Sequence, residues 1–116
     1  MMMDWNAYGS QIDAAVKEIS IAKPDLVKGY NALAQASTKG PHLDAKVREL
    51  IALAVAVSLR CDGCINAHTD AAQRAGASKE EIIEALGVAI AINAGATLVY
   101  SARTIDAYNA KATQET

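Results

Sequence analysis

From Leu50 to Val57 the chain reads Leu-Ile-Ala-Leu-Ala-Val-Ala-Val, eight residues without a polar side chain. No face of such a run is left to meet water, so whatever element it forms needs cover on most sides. Eight residues fall well short of the ~20 that cross a bilayer as a helix, so the cover has to be protein. A buried strand and a buried helix both fit an unbroken apolar run. Ala is a poor strand residue and the best helix former, and good helix formers flank the segment, so helix is the expectation. Asp44 is a natural N-cap for it, and Lys46 and Arg48 mark the wet side of its early part, which then continues to about Leu59.

The same helical spacing runs along the rest of the chain. Ile12, Ala15, Val16 and Ile19 form one apolar face. Pro24 suits the first turn of a second helix, with Asp25 at its positive end, and that helix carries Leu26, Val27, Tyr30, Leu33 and Ala34. Ser37-Thr38-Lys39-Gly40-Pro41 is the clearest loop. After the central apolar run, a helix opens at the cysteine segment and reaches Arg74 or Ala75, with Gly76 as terminator. Ser78-Lys79-Glu80-Glu81 is a capping box for a helix bearing Ile82, Ile83, Leu86, Ala89 and Ile90. A last helical stretch carries Leu98, Val99, Ile105 and Tyr108, with a bend or restart expected near Asn93 to Gly95. Beyond Lys111 the tail is polar and expected to fray. The fold class read from this pattern is all-α, about six helices in one domain over residues 1–116.

Composition narrows the function classes. Hydrophobic residues make up 52% of the 116, but they are mostly Ala, Ile, Leu and Val, with no Phe and one Trp. Small side chains favour closely packed helices. A chain this short has trouble covering six apolar faces alone, so self-association is expected. The net charge of −2 comes without a basic block, which argues against nucleic acid as a partner. The start runs from Met1-Met2-Met3 straight into Asp4 and Trp5, without the basic and apolar regions of a secretory signal. The expected location is therefore the cytoplasm, with no membrane partner, where a close cysteine pair points to catalysis, redox sensing or metal binding more than to a structural staple.

That pair lies in Cys61-Asp62-Gly63-Cys64-Ile65-Asn66-Ala67-His68, which holds both cysteines and one of the two histidines. Residues three, four or seven apart share a helix face, so all three side chains point the same way. Cys61 and Cys64 are close enough for a disulfide, and His68 lies one turn beyond Cys64. A helix N-terminus and a neighbouring imidazole both favour the reactive thiolate. Spacing pairs His68 with Cys64, while the helix end acts more on Cys61, so either sulfur is a candidate for first attack. Glu49 is the candidate to orient the imidazole. Twelve residues of unbroken helix would put it roughly 18 Å from Cys61, so it joins the site only if the chain doubles back between about Leu59 and Asp62. Asp62-Gly63 offers a turn there.

Other uses of these residues have physical grounds too. Cysteines pack as small hydrophobes. Cys61, Cys64, His68 and Glu49 have acceptable zinc chemistry, although structural zinc sites usually draw a second ligand pair from elsewhere. Glu49 could equally be a surface charge beside Lys46 or Arg48. A thioredoxin-type domain needs βαβ units, and none can be read. His42, beside Pro41, reads as an exposed loop residue, while Asn66 and Asn93 are weaker pocket candidates.

With Lys46-Val47-Arg48-Glu49-Leu50-Ile51-Ala52-Leu53-Ala54, the Cys61 to Thr69 segment and Ala75-Gly76-Ala77-Ser78-Lys79-Glu80-Glu81-Ile82 in order, the chain resembles the carboxymuconolactone decarboxylase superfamily. Within it, the likeness over residues 40 to 108 is to the alkylhydroperoxidase D-like branch. The resemblance implies an all-α fold assembled as homotrimers or homohexamers, and a cofactor-free peroxidase or disulfide reductase acting on hydroperoxides with a dithiol electron donor. It assigns Cys64 as the peroxidatic cysteine, Cys61 as the resolving one, and His68 with Glu49 as the proton relay. The best-studied members carry a further histidine between the cysteines, where this chain has Gly63. The decarboxylase namesakes lack the cysteine pair. Alternative functions are a metal-binding or redox-sensing oligomer without turnover, or a lactone-processing enzyme.

Overall fold

The computed structural model describes residues 1–114, and all the regular elements among them are helices: α1 (Trp5–Ala22), α2 (Pro24–Ser37), α3 (Ala45–Leu59), α4 (Asp62–Arg74), α5 (Lys79–Tyr100) and α6 (Ala102–Gln114). The all-α expectation holds. The local signals that start these helices work as read. The Asp44 carboxylate accepts the Val47 N–H at 2.9 Å and opens α3. Pro24 occupies the first turn of α2, with Asp25 beside it. Ser78 and Glu81 satisfy each other's backbone N–H groups at 3.0 and 2.9 Å, a complete capping box for α5. Gly76 takes φ 87°, the left-handed conformation that ends α4 without a Cβ clash.

The centre of the fold is α3, which packs against both α4 and α5, while α1 packs on α2 and α4. Gly9 lets α1 approach α4 closely, since a Cβ there would stand 2.7 Å from the Asn66 amide nitrogen. On the far side, Asn93 of α5 donates to the Ser58 hydroxyl at 2.8 Å and to the Ala89 carbonyl at 2.7 Å, tying mid-α5 to the end of α3.

Three expectations need correction. The helix does not bend near Asn93–Gly95. It runs unbroken to Tyr100, and with α6 it forms an almost continuous rod, long and apolar enough by length and composition to cross a bilayer. The apolar stretch of α5 thus carries on past Asn93. Asn93 broke the run in sequence, but in space its side chain folds back onto its own helix and α3. The tail is also better ordered than expected, since α6 continues to Gln114, and only the last two positions of that expectation lie outside the described residues.

The third correction concerns burial. Among the described residues only Leu53, Ala56, Ala72 and Ala89 are buried hydrophobics. Within the run that demanded cover on most sides, Ile51 and Val55 remain about half exposed, at 48% and 51%. The radius of gyration is 19.7 Å, against about 13 Å for a compact chain of this length. The helices splay instead of closing over α3.

An exposed ion pair links α3 to the start of α5. Lys46 Nζ lies 2.8 Å from Glu81 Oε2. The hydrogen bond from Lys46, then that from the Ser78 N–H, pulls the Glu81 carboxyl from 4.5 down to about 2. A depressed carboxyl stabilises the fold fully above its unfolded value and loses that contribution as pH falls through its folded value. The resistance of the wild type to urea should therefore fall as pH drops from 4.5 towards 2, and Glu81→Gln should flatten that slope. Equal slopes would show that the pair is not coupled to folding.

Candidate functional site

The cysteine pair sits at the reversal between α3 and α4. Arg60 adopts φ 55°, ψ 48°, the left-handed region usually taken by glycine after a helix. The Cys61 N–H then donates to the Ala56 carbonyl at 3.1 Å, closing the end of α3. Cys61 is at once the N-cap of α4, its sulfur accepting the Cys64 N–H at 3.2 Å. One residue thus ends one helix and begins the next, with no slack between them. The expected reversal is present, but Arg60 makes it. Asp62 and Gly63 are already helical, because the left-handed residue was an arginine, a rare choice that no turn rule flags.

Cys61 and Cys64 are joined as a disulfide, with Cα atoms 5.3 Å apart. The Cys61 sulfur lies at the positive end of α4, beside a backbone donor. His68 lies one turn past Cys64 on the same face of α4.

Because α4 folds back along α3, Glu49 reaches the site. Its Oε2 lies 2.7 Å from His68 Nδ1. The expected distance problem is removed, and Glu49 is not a surface charge for Lys46 or Arg48, since Lys46 is occupied by Glu81. Glu49 is the better shielded of the two, its side chain 18% exposed against 39% for His68. A carboxylate accepting from Nδ1–H fixes the tautomer and leaves the Nε2 lone pair free to accept a proton. The structure thus joins the four residues singled out from the sequence in two pairs, Cys61 with Cys64 and Glu49 with His68. His42 lies exposed in the loop before α3. Among the described residues no three His, Cys, Asp or Glu side chains converge as a metal site.

A cleft of about 520 Å³ opens over Glu49 and His68, between α2 and α3. Tyr30, Leu33, Leu43 and Ile51 give it apolar walls, and Arg48 stands at its edge. Arg48 donates only a long 3.4 Å hydrogen bond to the Gly40 carbonyl, and among the described residues no carboxylate lies within ion-pair distance. Sequence reasoning missed this cleft. Its wall residues carry an ordinary apolar helix pattern, and only their placement across from Glu49 sets them apart.

The chain is similar in sequence and fold to known proteins. The sequence profile of the carboxymuconolactone decarboxylase family matches residues 24–107. An uncharacterized protein of Haemophilus influenzae is 46% identical over 109 residues, covering 94% of this chain and 96% of its own. The crystal structure of an apo carboxymuconolactone decarboxylase family protein from Legionella pneumophila superposes with a TM-score of 0.72 at 35% identity, over 90% of this chain and 94% of that one. A Thermotoga maritima protein of known structure matches with a TM-score of 0.58 at 30% identity, over 78% and 85% of the two chains.

Proposed function

The chain belongs to the carboxymuconolactone decarboxylase family, and within it we propose a thiol-dependent peroxidase and disulfide reductase acting through Cys61, Cys64, His68 and Glu49. The Cys61–Cys64 pair fits the alkylhydroperoxidase D-like branch. The observation that carries the reading is the 2.7 Å contact between Glu49 and His68, made one helical turn from Cys64.

In the proposed cycle, His68 takes the Cys64 thiol proton and the thiolate attacks the terminal peroxide oxygen. The O–O bond breaks, Cys64 becomes a sulfenic acid, and the departing alkoxide takes the proton from His68. The Cys61 thiolate then displaces hydroxide from the Cys64 sulfur, leaving the disulfide and, once protonated, water. A dithiol donor attacks the disulfide, passes through a mixed disulfide and leaves both cysteines reduced. Glu49 holds the imidazole orientation and the charge of its protonated form throughout.

Peroxide consumption with a panel of dithiol donors tests the proposal. Turnover of hydrogen or organic peroxide that depends on donor and cysteine is the expected outcome. No consumption with any donor, or consumption untouched by loss of both cysteines, overturns it.

Gly63 offers a second handle. It is helical, and a Cβ there would meet no atom within 4 Å. Gly63→His should therefore fold normally and raise the peroxidase rate, by roughly tenfold if the added imidazole joins proton transfer. An unchanged rate, in a variant with unchanged unfolding, would show that position 63 takes no part in the relay.

A further inference from the structure

We propose that the α5–α6 rod of a second copy of this chain seats in the α2–α3 cleft and closes the site over Glu49 and His68. The chemistry assigned to that site rests on the proposed function, but the docking does not. Two uncovered apolar surfaces belong to the same molecule. The cleft exists because α2 packs on α1 and not on α3, leaving Tyr30 and Leu33 66% and 71% exposed. The rod stands out at the other end of the chain, where α6 packs on α5 alone and Leu98, Val99, Ile105 and Tyr108 are 63–75% exposed.

The area calls for a partner of this size. The chain exposes 9258 Å², whereas a folded monomer of its mass exposes about 6,000 Å². Two copies each hiding that excess of about 3,200 Å² would bury about 6,400 Å² in total, at the top of the range of obligate homodimer interfaces. Charge agrees as well. Arg48 at the cleft and Asp106 on the rod each have no ion-pair partner among the described residues. A bilayer fits the rod less well, because Asn93 is tied to Ser58 halfway along it and Arg103, Asp106 and Lys111 follow. Seating the rod would remove water from the half-exposed His68, which strengthens its interaction with Glu49.

The test needs no enzymatic activity. A photoreactive benzoyl-phenylalanine replaces Leu33, and equal amounts of isotopically heavy and light chains are mixed, irradiated and mapped by mass spectrometry. Sedimentation at micromolar concentration should give an oligomer, with cross-links from position 33 to residues 95–110 of the other isotope. Diethylpyrocarbonate should modify His68 at least about tenfold more slowly than exposed His42 in the assembly, the protection expected of a site reached only on opening. Ile105→Asp should release smaller species in which the two histidines react alike. A monomeric wild type, cross-links confined to one chain or to another element, unprotected His68, or sedimentation with phosphatidylcholine vesicles would each overturn the proposal.

Discussion

Cys64→Ser should abolish peroxide turnover, leaving only the uncatalysed background, whereas Cys61→Ser should stop after a single turnover with a sulfenic acid held on Cys64. The asymmetry follows from position. Cys64 lies within one turn of His68, the base that can deprotonate it. Cys61 is the N-cap of α4, with its sulfur already facing the Cys64 N–H at 3.2 Å. Serine is a better N-cap than cysteine, so Cys61→Ser should keep or improve stability, and its defect will be chemical. Dimedone labelling followed by intact mass measurement reads the trapped acid directly. If Cys61→Ser carries the loss and Cys64→Ser keeps turnover, the two sulfurs have exchanged roles. If both variants consume peroxide at the wild-type rate, the cysteines are not the reactive groups.

The second large effect belongs to the relay. His68→Ala should lower the peroxidase rate by roughly 10²–10⁴-fold, the usual contribution of a positioned acid–base group. Glu49→Gln should cost less, because the amide oxygen can still accept from Nδ1–H, whereas Glu49→Ala should approach the loss seen in His68→Ala, because nothing is left to orient the imidazole. If Glu49 serves packing alone, neither variant lowers the rate beyond what its loss of stability explains. Equal unfolding curves for wild type and variant separate the two cases.

Much of this architecture is legible along the chain because helix signals are local. Asp44, Pro24, Gly76 and the Ser78–Glu81 box each act within one turn, and each did what its residue type dictates. The Asn93 expectation failed for a physical reason of the same kind. A polar residue in an apolar run reads as a break, yet its amide donates to the Ala89 carbonyl of its own helix and to Ser58 across the gap. The burial expectation failed because apolar patterning states that a surface needs cover and not which chain supplies it.

Helical periodicity by itself placed Cys64 and His68 on one face, since they stand one turn apart on α4, and Cys61 joins Cys64 as the N-cap of that helix. It also established an all-helical chain, because every segment carries that period and its own caps. The tertiary structure decided the partner of Glu49. In sequence Glu49 had Lys46 and Arg48 beside it, and His68 was nineteen positions away. The left-handed backbone at Arg60 turns α4 back along α3 and brings the carboxylate to the imidazole. A single pair of backbone angles, invisible to residue patterning, thus sets a long-range contact that no local rule contains.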